Sequence, residues 1–154
     1  MGNTFRIRPF READEPAVLQ LWQECGLVVP HNDPHKDIRR KLRVNPEWFL
    51  IGEEEGAVLA TCMAGYEGHR GWINYLATAP GRRRQRLATR MMEEAERLLR
   101  AAGCPKINLQ VRATNPQVIA FYESLGFKID AVMSMGKRLE VDGEADGTNA
   151  AARG

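Results

Sequence analysis

The sequence predicts an α/β fold in which one mixed β-sheet is packed between helices. Short apolar stretches of strand type alternate with segments whose apolar residues recur every three or four positions, as on one face of a helix. Their order along the chain is strand, two helices, three strands, helix, strand, helix and strand. This order is typical of a single sheet with helices on both faces.

The first strand and two helices are predicted near the N-terminus. Residues 5–10 alternate apolar and polar side chains, as expected of a half-buried strand. Asp14 and Asp33 can each cap a helix, and the two helices end at Gly26 and just before Pro46. Three more strands follow at 48–52, 57–66 and 72–78, and the first two of these are joined by an acidic turn that ends in a glycine.

The second half of the chain contains two further helices, each followed or preceded by a strand. Apolar residues keep a strict helical period from Leu87 onward, and Gly103 ends that helix. Asn115 can cap the last helix, which Gly126 closes in the left-handed conformation. The remaining strands are predicted at 107–111 and 127–135.

Length and composition predict one globular domain with a short tail. The 154 residues are enough for a single core, and 44% hydrophobic and 27% charged residues are close to globular averages, which argues against a disordered or membrane protein. The domain is predicted over 1–140. Residues 141–154 are small, polar and glycine-rich, and are predicted to form a disordered tail.

The sequence predicts a cytoplasmic protein without a nucleic-acid or membrane partner. It has no apolar run long enough to span a bilayer, and its N-terminus has no signal-peptide core. A net charge of +2 is too small to predict nucleic-acid binding. Cys25, Cys62 and Cys104 are odd in number and widely separated, which argues against disulfides and against a Cys-x-x-Cys site. His31 and His35 are predicted to be surface residues, so no metal is expected.

A basic loop leads into the helix that begins at Leu87. It reads Ala-Pro-Gly-Arg-Arg-Arg-Gln-Arg over 79–86. The free amides of a first helical turn, the positive end of the helix dipole and nearby guanidiniums together make an anion-binding arrangement. The alternative interpretation is a solvated basic patch or an RNA contact, because arginine runs are frequent on surfaces.

The segment Asn115–Phe127 resembles the last motif of the GNAT acyltransferases, in which a tyrosine at the position of Tyr122 lies beside the thioester sulfur of acetyl-coenzyme A (acetyl-CoA). The alternative is that Phe121 and Tyr122 are ordinary core aromatics. The basic loop is similar to the GNAT motif Arg/Gln-x-x-Gly-x-Gly/Ala, with Arg86 where the family has its central glycine. The Arg86 side chain must therefore point away from the coenzyme or bind one of its phosphates.

The resemblance covers nearly all of residues 4–140, where the sequence looks like the small bacterial YpeA-type branch of the family. Residues 111–127 are similar to the branch that acetylates the N-terminus of a ribosomal protein. This implies a GNAT fold with a mixed, mostly antiparallel sheet of six to seven strands, helices on both faces and a splayed fourth strand.

The resemblance also implies a coenzyme site. The backbone of Leu76–Thr78 would pair with the pantetheine arm, the amides of 84–89 would hold the pyrophosphate, and Tyr122 would protonate the departing thiolate. The residues implied in coenzyme binding are Leu76, Ala77, Thr78, Arg83, Arg84, Gln85, Arg86, Leu87, Ala88, Thr89 and Asn115.

The proton acceptor is less well specified than the proton donor. In the ribosomal branch a glutamate is the general base, and the matching residue here is Gln110, which cannot accept a proton. Glu67 and His69, in the turn before the fourth strand, are the candidate bases, unless they belong to a plain exposed turn. Asp33 and Asp37 are candidates for attracting a cationic amine, although Asp33 can instead cap its helix.

These observations predict an N-acetyltransferase that moves an acetyl group from acetyl-CoA directly to a primary amine in a ternary complex. A backbone amide near Leu76–Thr78 would support the developing oxyanion. The acceptor is either a peptide or protein N-terminus or a small amine, and the protein is a monomer or a homodimer. The alternative is a non-catalytic acyl-CoA-binding module, which Arg86 and Gln110 both favour.

Overall fold

One β-sheet flanked by helices organises the protein, whose structure is a computed structural model that describes residues 4–142 apart from the side chain of Arg84. The strands are β1 Arg6–Pro9, β2 Phe49–Glu54, β3 Ala57–Tyr66, β4 Gly71–Thr78 and β5 Ile107–Asn108. The α-helices are α1 Glu15–Glu24, α2 Pro34–Lys41, α3 Leu87–Ala101 and α4 Pro116–Ser124. Short 3-10 turns occupy Glu12–Asp14, Pro46–Trp48 and Pro80–Gln85.

The order of the strands in the sheet is the same as their order in the chain. β1 to β4 are antiparallel, and β5 joins the outer edge of β4 in parallel. The turn between β2 and β3 consists of Glu55 and Gly56, which both have positive φ, at 49° and 82°. Two such residues make the hairpin turn whose twist matches that of its strands.

Each face of the sheet carries its own apolar cluster. On one face α3 places Met91, Ala95 and Leu99, spaced four residues apart, in full burial against β3 and β4. On the other face α1 and α2 contribute Trp22 and Ile38, which are equally buried. The predicted α/β fold with helices on both faces is confirmed.

Two of the predicted helix caps are present. Asp33 Oδ1 accepts hydrogen bonds from the amides of His35 at 2.9 Å and Lys36 at 3.4 Å, at the start of α2. Asn115 Oδ1 accepts one from the amide of Val118 at 3.4 Å, at the start of α4. Both side chains therefore satisfy amides that a first helical turn leaves unpaired.

The predicted cap at Asp14 is wrong, although α1 begins directly after it. The Asp14 carboxylate accepts hydrogen bonds from the Arg8 guanidinium at 2.8 and 2.9 Å and from the amide of Arg11 at 2.7 Å. These donors lie before the helix, so Asp14 fixes the 3-10 turn and the first strand instead of the first turn of α1.

The last predicted strand is also wrong, and the sheet has five strands in the described part of the chain, fewer than the six to seven expected. β5 covers 107–108 and not 107–111. Side chains of residues 127–135 contact the region around β5. Lys106 Nζ lies 2.7 Å from Asp130 Oδ2, and Gln110 is hydrogen-bonded to Ser134. The two segments are joined by these side-chain contacts without forming a strand pair, and both line a cavity of about 1210 Å³.

The end of the described chain packs against α2. Asp142 is only 3% exposed, and its carboxylate accepts two hydrogen bonds from Arg40, at 2.9 and 2.8 Å. Of the tail predicted at 141–154, the structure describes Val141 and Asp142, and Asp142 is part of the packed domain. Residues 143–154 lie outside the described residues.

Two features of composition can be compared with the structure. Cys25, Cys62 and Cys104 are all free thiols, and Cys62 is fully buried in the sheet. No helix found in residues 4–142 is both long and apolar enough to cross a membrane.

Candidate active site

The outer edge of β4 is open along most of its length. β4 pairs with β3 from Gly71 to Thr78, but on its other side only Gly71 and Trp72 pair with β5. The remaining residues, Ile73–Thr78, form what we call the open edge of β4. This is the splay predicted for the fourth strand. Unpaired strand edges bind extended ligands through backbone hydrogen bonds.

β4 contains a β-bulge in the middle of this open edge. Thr61 pairs with Ala77 and Met63 pairs with Asn74, so Cys62 alone faces both Tyr75 and Leu76. Tyr75 has a φ of +51°, in the left-handed region that costs a residue other than glycine about 1–2 kcal/mol. A bulge leaves backbone groups outside the ladder and bends its strand.

Three contacts hold Tyr75 in this conformation. Its carbonyl accepts a hydrogen bond from Thr61 Oγ1 at 2.8 Å, and Thr61 Oγ1 accepts one from Trp22 Nε1 at 2.9 Å. Its ring stacks on Trp22 with centroids 3.9 Å apart. Its hydroxyl donates to Asp37 Oδ2 at 2.5 Å, and burial together with this carboxylate raises the Tyr75 pKa.

Tyr122 lies on α4, within the apolar cluster that also contains Cys62 and Leu76. Its ring makes edge-to-face contacts with Phe121 at 5.2 Å and Phe127 at 5.6 Å. Burial, and then the proximity of Cys62, raise the pKa of Tyr122 to about 12. The phenol is therefore fully protonated at neutral pH and has a proton to donate.

The N-terminus of α3 is free of side-chain caps among the described residues. The first helical hydrogen bond runs from the amide of Arg90 to the carbonyl of Arg86, at 3.1 Å. The amides of residues 87–89 thus have no partner within the helix, as at every helix start. Together with the helix dipole they make a site for an anion.

Arg86 occupies the position before α3 with a φ of +60°. It therefore adopts the left-handed conformation that a glycine takes easily, and its side chain is exposed. Arg83 is exposed as well. Arg82, which was not among the predicted site residues, is hydrogen-bonded to Glu54 and, at 2.5 Å, to Gln85, so it fastens this loop to the β2–β3 hairpin.

The acidic candidates differ in their surroundings. Asp33 serves as the cap of α2, which is the alternative raised for it from the sequence. Asp37 faces the bulge, because one of its oxygens accepts from Tyr75 and the other from Arg40 at 2.9 Å. Asp37 is thus placed beside the reacting region proposed from the sequence, on the face opposite Tyr122.

Glu67 and His69 lie in the turn before Gly71, at the end of β4 away from Leu76–Thr78. Glu67 Oε1 accepts hydrogen bonds from the amides of His69, at 2.7 Å, and Arg70, which lower the pKa of Glu67. The turn precedes Gly71, five residues before Leu76, or about 16 Å along a strand. The role of Glu67 and His69 as bases stays a prediction.

Sequence reasoning missed Thr61, Trp22 and Tyr75. The run 72–78 contains no glycine that would mark a bulge, and nothing local in it indicates a positive φ. The contacts of Tyr75 with Thr61, Asp37 and Trp22 join residues 14, 38 and 53 positions apart, so no short motif contains them. Within residues 4–142 no group of three or more His, Cys, Asp and Glu side chains is arranged to hold a metal ion.

Comparison with known proteins agrees with this architecture. The model of the Acetyltransferase (GNAT) family matches residues 15–127. The acetyltransferase YE1169 of Yersinia enterocolitica is 44% identical over 138 residues, which cover 90% of this chain and 98% of that protein.

Solved structures show the same fold. The ribosomal-protein-S18-alanine N-acetyltransferase from Escherichia coli superposes with a TM-score of 0.67 at 24% identity, covering 80% of this chain and 77% of that one. AAC(6')-Iy in complex with the bisubstrate analogue CoA-S-monomethyl-acetylneamine gives 0.71 at 16% identity, over 88% of this chain and 99% of that one. From the family match and the 44% identical relative, the chain belongs to the GNAT family of acetyltransferases.

Proposed function

We propose that this acetyltransferase moves an acetyl group from acetyl-CoA directly to a primary amine, in a ternary complex. The observation that carries the proposal is the meeting of Tyr122 with the bulge of β4. The phenol shares one apolar cluster with Cys62 and Leu76, beside an open strand edge. A proton donor and unpaired backbone groups are thus present together where a thioester can lie.

The residues present fit acetyl-CoA. The open edge of β4 at Leu76–Thr78 can pair with the amides of the pantetheine arm. The amides of residues 87–89 and the exposed side chains of Arg83 and Arg86 can hold the pyrophosphate. Arg86 has a left-handed backbone and an exposed side chain, which can therefore extend toward a phosphate of the coenzyme. When bound, acetyl-CoA supplies an activated acetyl group.

The chemical roles follow from this placement. The neutral amine attacks the thioester carbonyl, a carbon–nitrogen bond forms and the carbon–sulfur bond breaks. The nitrogen releases its surplus proton to water, from which Tyr122 is protonated again. A backbone amide of Leu76–Thr78 donates a hydrogen bond to the oxygen on which negative charge develops. Tyr122 gives its proton to the departing sulfur. The raised pKa of Tyr122 keeps the phenol protonated at neutral pH, so that its proton is available to the departing sulfur.

The acceptor amine approaches from the side of α2. Asp37, fixed by Tyr75 and Arg40, places a carboxylate beside the bulge that attracts a cationic amine and takes up its proton. Of the two solved neighbours, one is named for an alanine of ribosomal protein S18 and the other holds an analogue that joins CoA to acetylneamine, so one points to a protein acceptor and the other to a small-molecule acceptor. We therefore propose a primary amine of one of these two kinds.

Calorimetry with acetyl-CoA, followed by a thiol-release assay, tests the proposed function. Coenzyme at about a hundred times its dissociation constant is expected to stabilise the protein by about 2.7 kcal/mol. Thiol release is expected to depend on an added amine, with N-terminal peptides and aminoglycosides tested side by side. Binding without turnover would instead indicate an acyl-CoA-binding module. Salt-sensitive RNA binding without coenzyme binding would contradict both.

Replacing Tyr122 by phenylalanine separates its acid role from packing. Tyr122→Phe is expected to bind acetyl-CoA as the wild type does and to lose kcat by about 10²-fold or more. Tyr66→Phe is the matched control, because the Tyr66 hydroxyl contacts only the carbonyls of Gly68 and Gly103 in the described structure. Unchanged turnover in Tyr122→Phe would rule out the acid role.

A further inference from the structure

We propose that Trp22 and Thr61 form a positioning relay that holds the β4 bulge in its catalytic conformation. The relay consists of the hydrogen bond from Trp22 Nε1 to Thr61 Oγ1 and the one from Thr61 Oγ1 to the Tyr75 carbonyl. Neither relay residue faces the coenzyme, so their effect on the reaction passes through Tyr75. The inference rests on the proposed role of the β4 amides in acetyl transfer.

The Thr61 hydroxyl is a buried polar group among apolar side chains. Thr61 and Trp22 are both 0% exposed and lie among the apolar side chains of the face covered by α1 and α2. Valine has the same shape and would pack there without a polar atom. A buried hydroxyl is unfavourable unless it is hydrogen-bonded, and here both its donor and its acceptor are used. The group that accepts the hydrogen bond of the Thr61 hydroxyl is the carbonyl of Tyr75, the residue of β4 with a positive φ.

The strain at Tyr75 explains what the relay must do. A left-handed residue other than glycine persists only where its surroundings hold it. Thr61 holds the carbonyl, Trp22 stacks on the ring, and Asp37 holds the hydroxyl. The first two contacts come from the relay, so most of the constraint on the backbone of Tyr75 depends on it.

The bulge sets which side chains and backbone amides of β4 point toward the proposed site of acetyl transfer. Leu76 lies in the cluster with Tyr122, while Ala77 lies in the cluster on the opposite face. Side chains alternate along a strand, so loss of the extra residue in β4 exchanges the two faces from Leu76 onward. The amides of Leu76–Thr78 would then turn away from the carbonyl oxygen. A misplacement of about 1 Å at a reacting centre can cost about 10²-fold in rate.

The test compares two substitutions at Thr61. Thr61→Val keeps the shape and removes the hydroxyl, and we expect kcat to fall by about tenfold or more while the dissociation constant for acetyl-CoA changes little. Thr61→Ser keeps the hydroxyl and is expected to restore most of kcat despite the lost methyl group. Trp22→Phe removes the Nε1 donor and part of the buried ring but keeps an aromatic ring beside Tyr75, and it is expected to lower kcat less than Thr61→Val. Equal kcat for the wild type and Thr61→Val would overturn the proposal.

A measurement without turnover separates this proposal from the proposed function. The backbone amide resonance of Leu76 is expected to shift in Thr61→Val and to stay near its wild-type position in Thr61→Ser. If the wild type acetylates no amine but these shifts occur, the relay holds the bulge and the catalytic assignment fails. If the wild type is active and the Leu76 resonance does not move, the relay is wrong. Should Thr61→Val not fold, Thr61→Ala and Thr61→Ser compare loss and retention of the hydroxyl on side chains of similar size.

Discussion

Arg86 combines an arginine side chain with the backbone conformation of a glycine. Its φ of +60° places it in the left-handed region, directly before the helix that offers free amides to an anion. The sequence identified Arg86 as the one departure from the coenzyme motif but left open where its side chain points. The exposed side chain follows from the fold of the whole loop, including the contact of Arg82 with Glu54, and no local pattern encodes it.

Substitution of Arg86 by glycine tests this strain. The left-handed conformation costs arginine about 1–2 kcal/mol, whereas a glycine loses about 0.5–1 kcal/mol of backbone entropy on folding. Arg86→Gly is therefore expected to stabilise the protein by about 0.5–1 kcal/mol in urea denaturation. Arg83→Gly, in the preceding 3-10 turn and without a positive φ, is the control and is expected to destabilise. Destabilisation by Arg86→Gly would show that the side chain makes a stabilising contact.

At the scale of elements, an ion network joins β1, β2 and the start of α1. Arg8 donates to Asp14 at 2.8 and 2.9 Å and to Glu53 at 3.0 Å. The Arg8 hydrogen bonds are the main reason that the pKa values of Asp14 and Glu53 are both lowered. This network fixes the outermost strand of the sheet, which otherwise has one neighbour only.

The network predicts acid sensitivity. A carboxyl group whose folded pKa is lowered stabilises the protein above its unfolded pKa, near 3.8 for Asp14 and 4.5 for Glu53, and this contribution is lost as pH falls through the folded pKa. We expect stability to decline below about pH 4.5. Arg8→Met is expected to cost about 2 kcal/mol at pH 7, between values typical of exposed and buried ion pairs, and to flatten the acid decline. An unchanged pH profile of unfolding in Arg8→Met would contradict this assignment.

The elements also show which parts of the fold the sequence encodes locally. Asp33, Asn115 and Gly103 mark helix ends through contacts within a few residues, so the pattern alone was sufficient to place them. The strand at 127–135 was predicted from its apolar residues, but pairing depends on how far β5 lies from it. The bulge at Tyr75 depends on Thr61 and Trp22, which no periodicity connects to it.

On the scale of the whole molecule, the end of the described chain contacts α2, on the side where we propose that the acceptor amine binds. Arg40 donates to both Asp142 and Asp37, and Asp37 accepts the Tyr75 hydroxyl. The C-terminal residues are thus connected to the bulge through one arginine. The proposed coenzyme side was predicted from motifs in 83–88 and 115–127, whereas the proposed acceptor side depends on a contact between residues about a hundred positions apart.

Two conservative substitutions test this connection. Asp142→Asn is expected to lower the melting temperature by a few degrees, because it weakens a buried carboxylate that accepts from Arg40 and from the Asp33 amide at 3.2 Å. Glu140→Gln removes an exposed carboxylate that lies 3.2 Å from the Arg40 guanidinium. This substitution is expected to change the melting temperature very little. Equal effects of the two substitutions in thermal denaturation would contradict the distinction.

Because the strands lie in the sheet in the same order as in the chain, the loops between them set the order in which they pair during folding. β2, β3 and β4 are separated by two and four residues, so their pairing closes short loops early, whereas β5 is separated from β4 by the 28 residues of 79–106. Contacts between near neighbours form faster than contacts between distant segments. We therefore expect the strand that carries the bulge to gain its β3 partner early and its β5 partner late. The edge that we propose for coenzyme binding is the one that chain connectivity leaves until last.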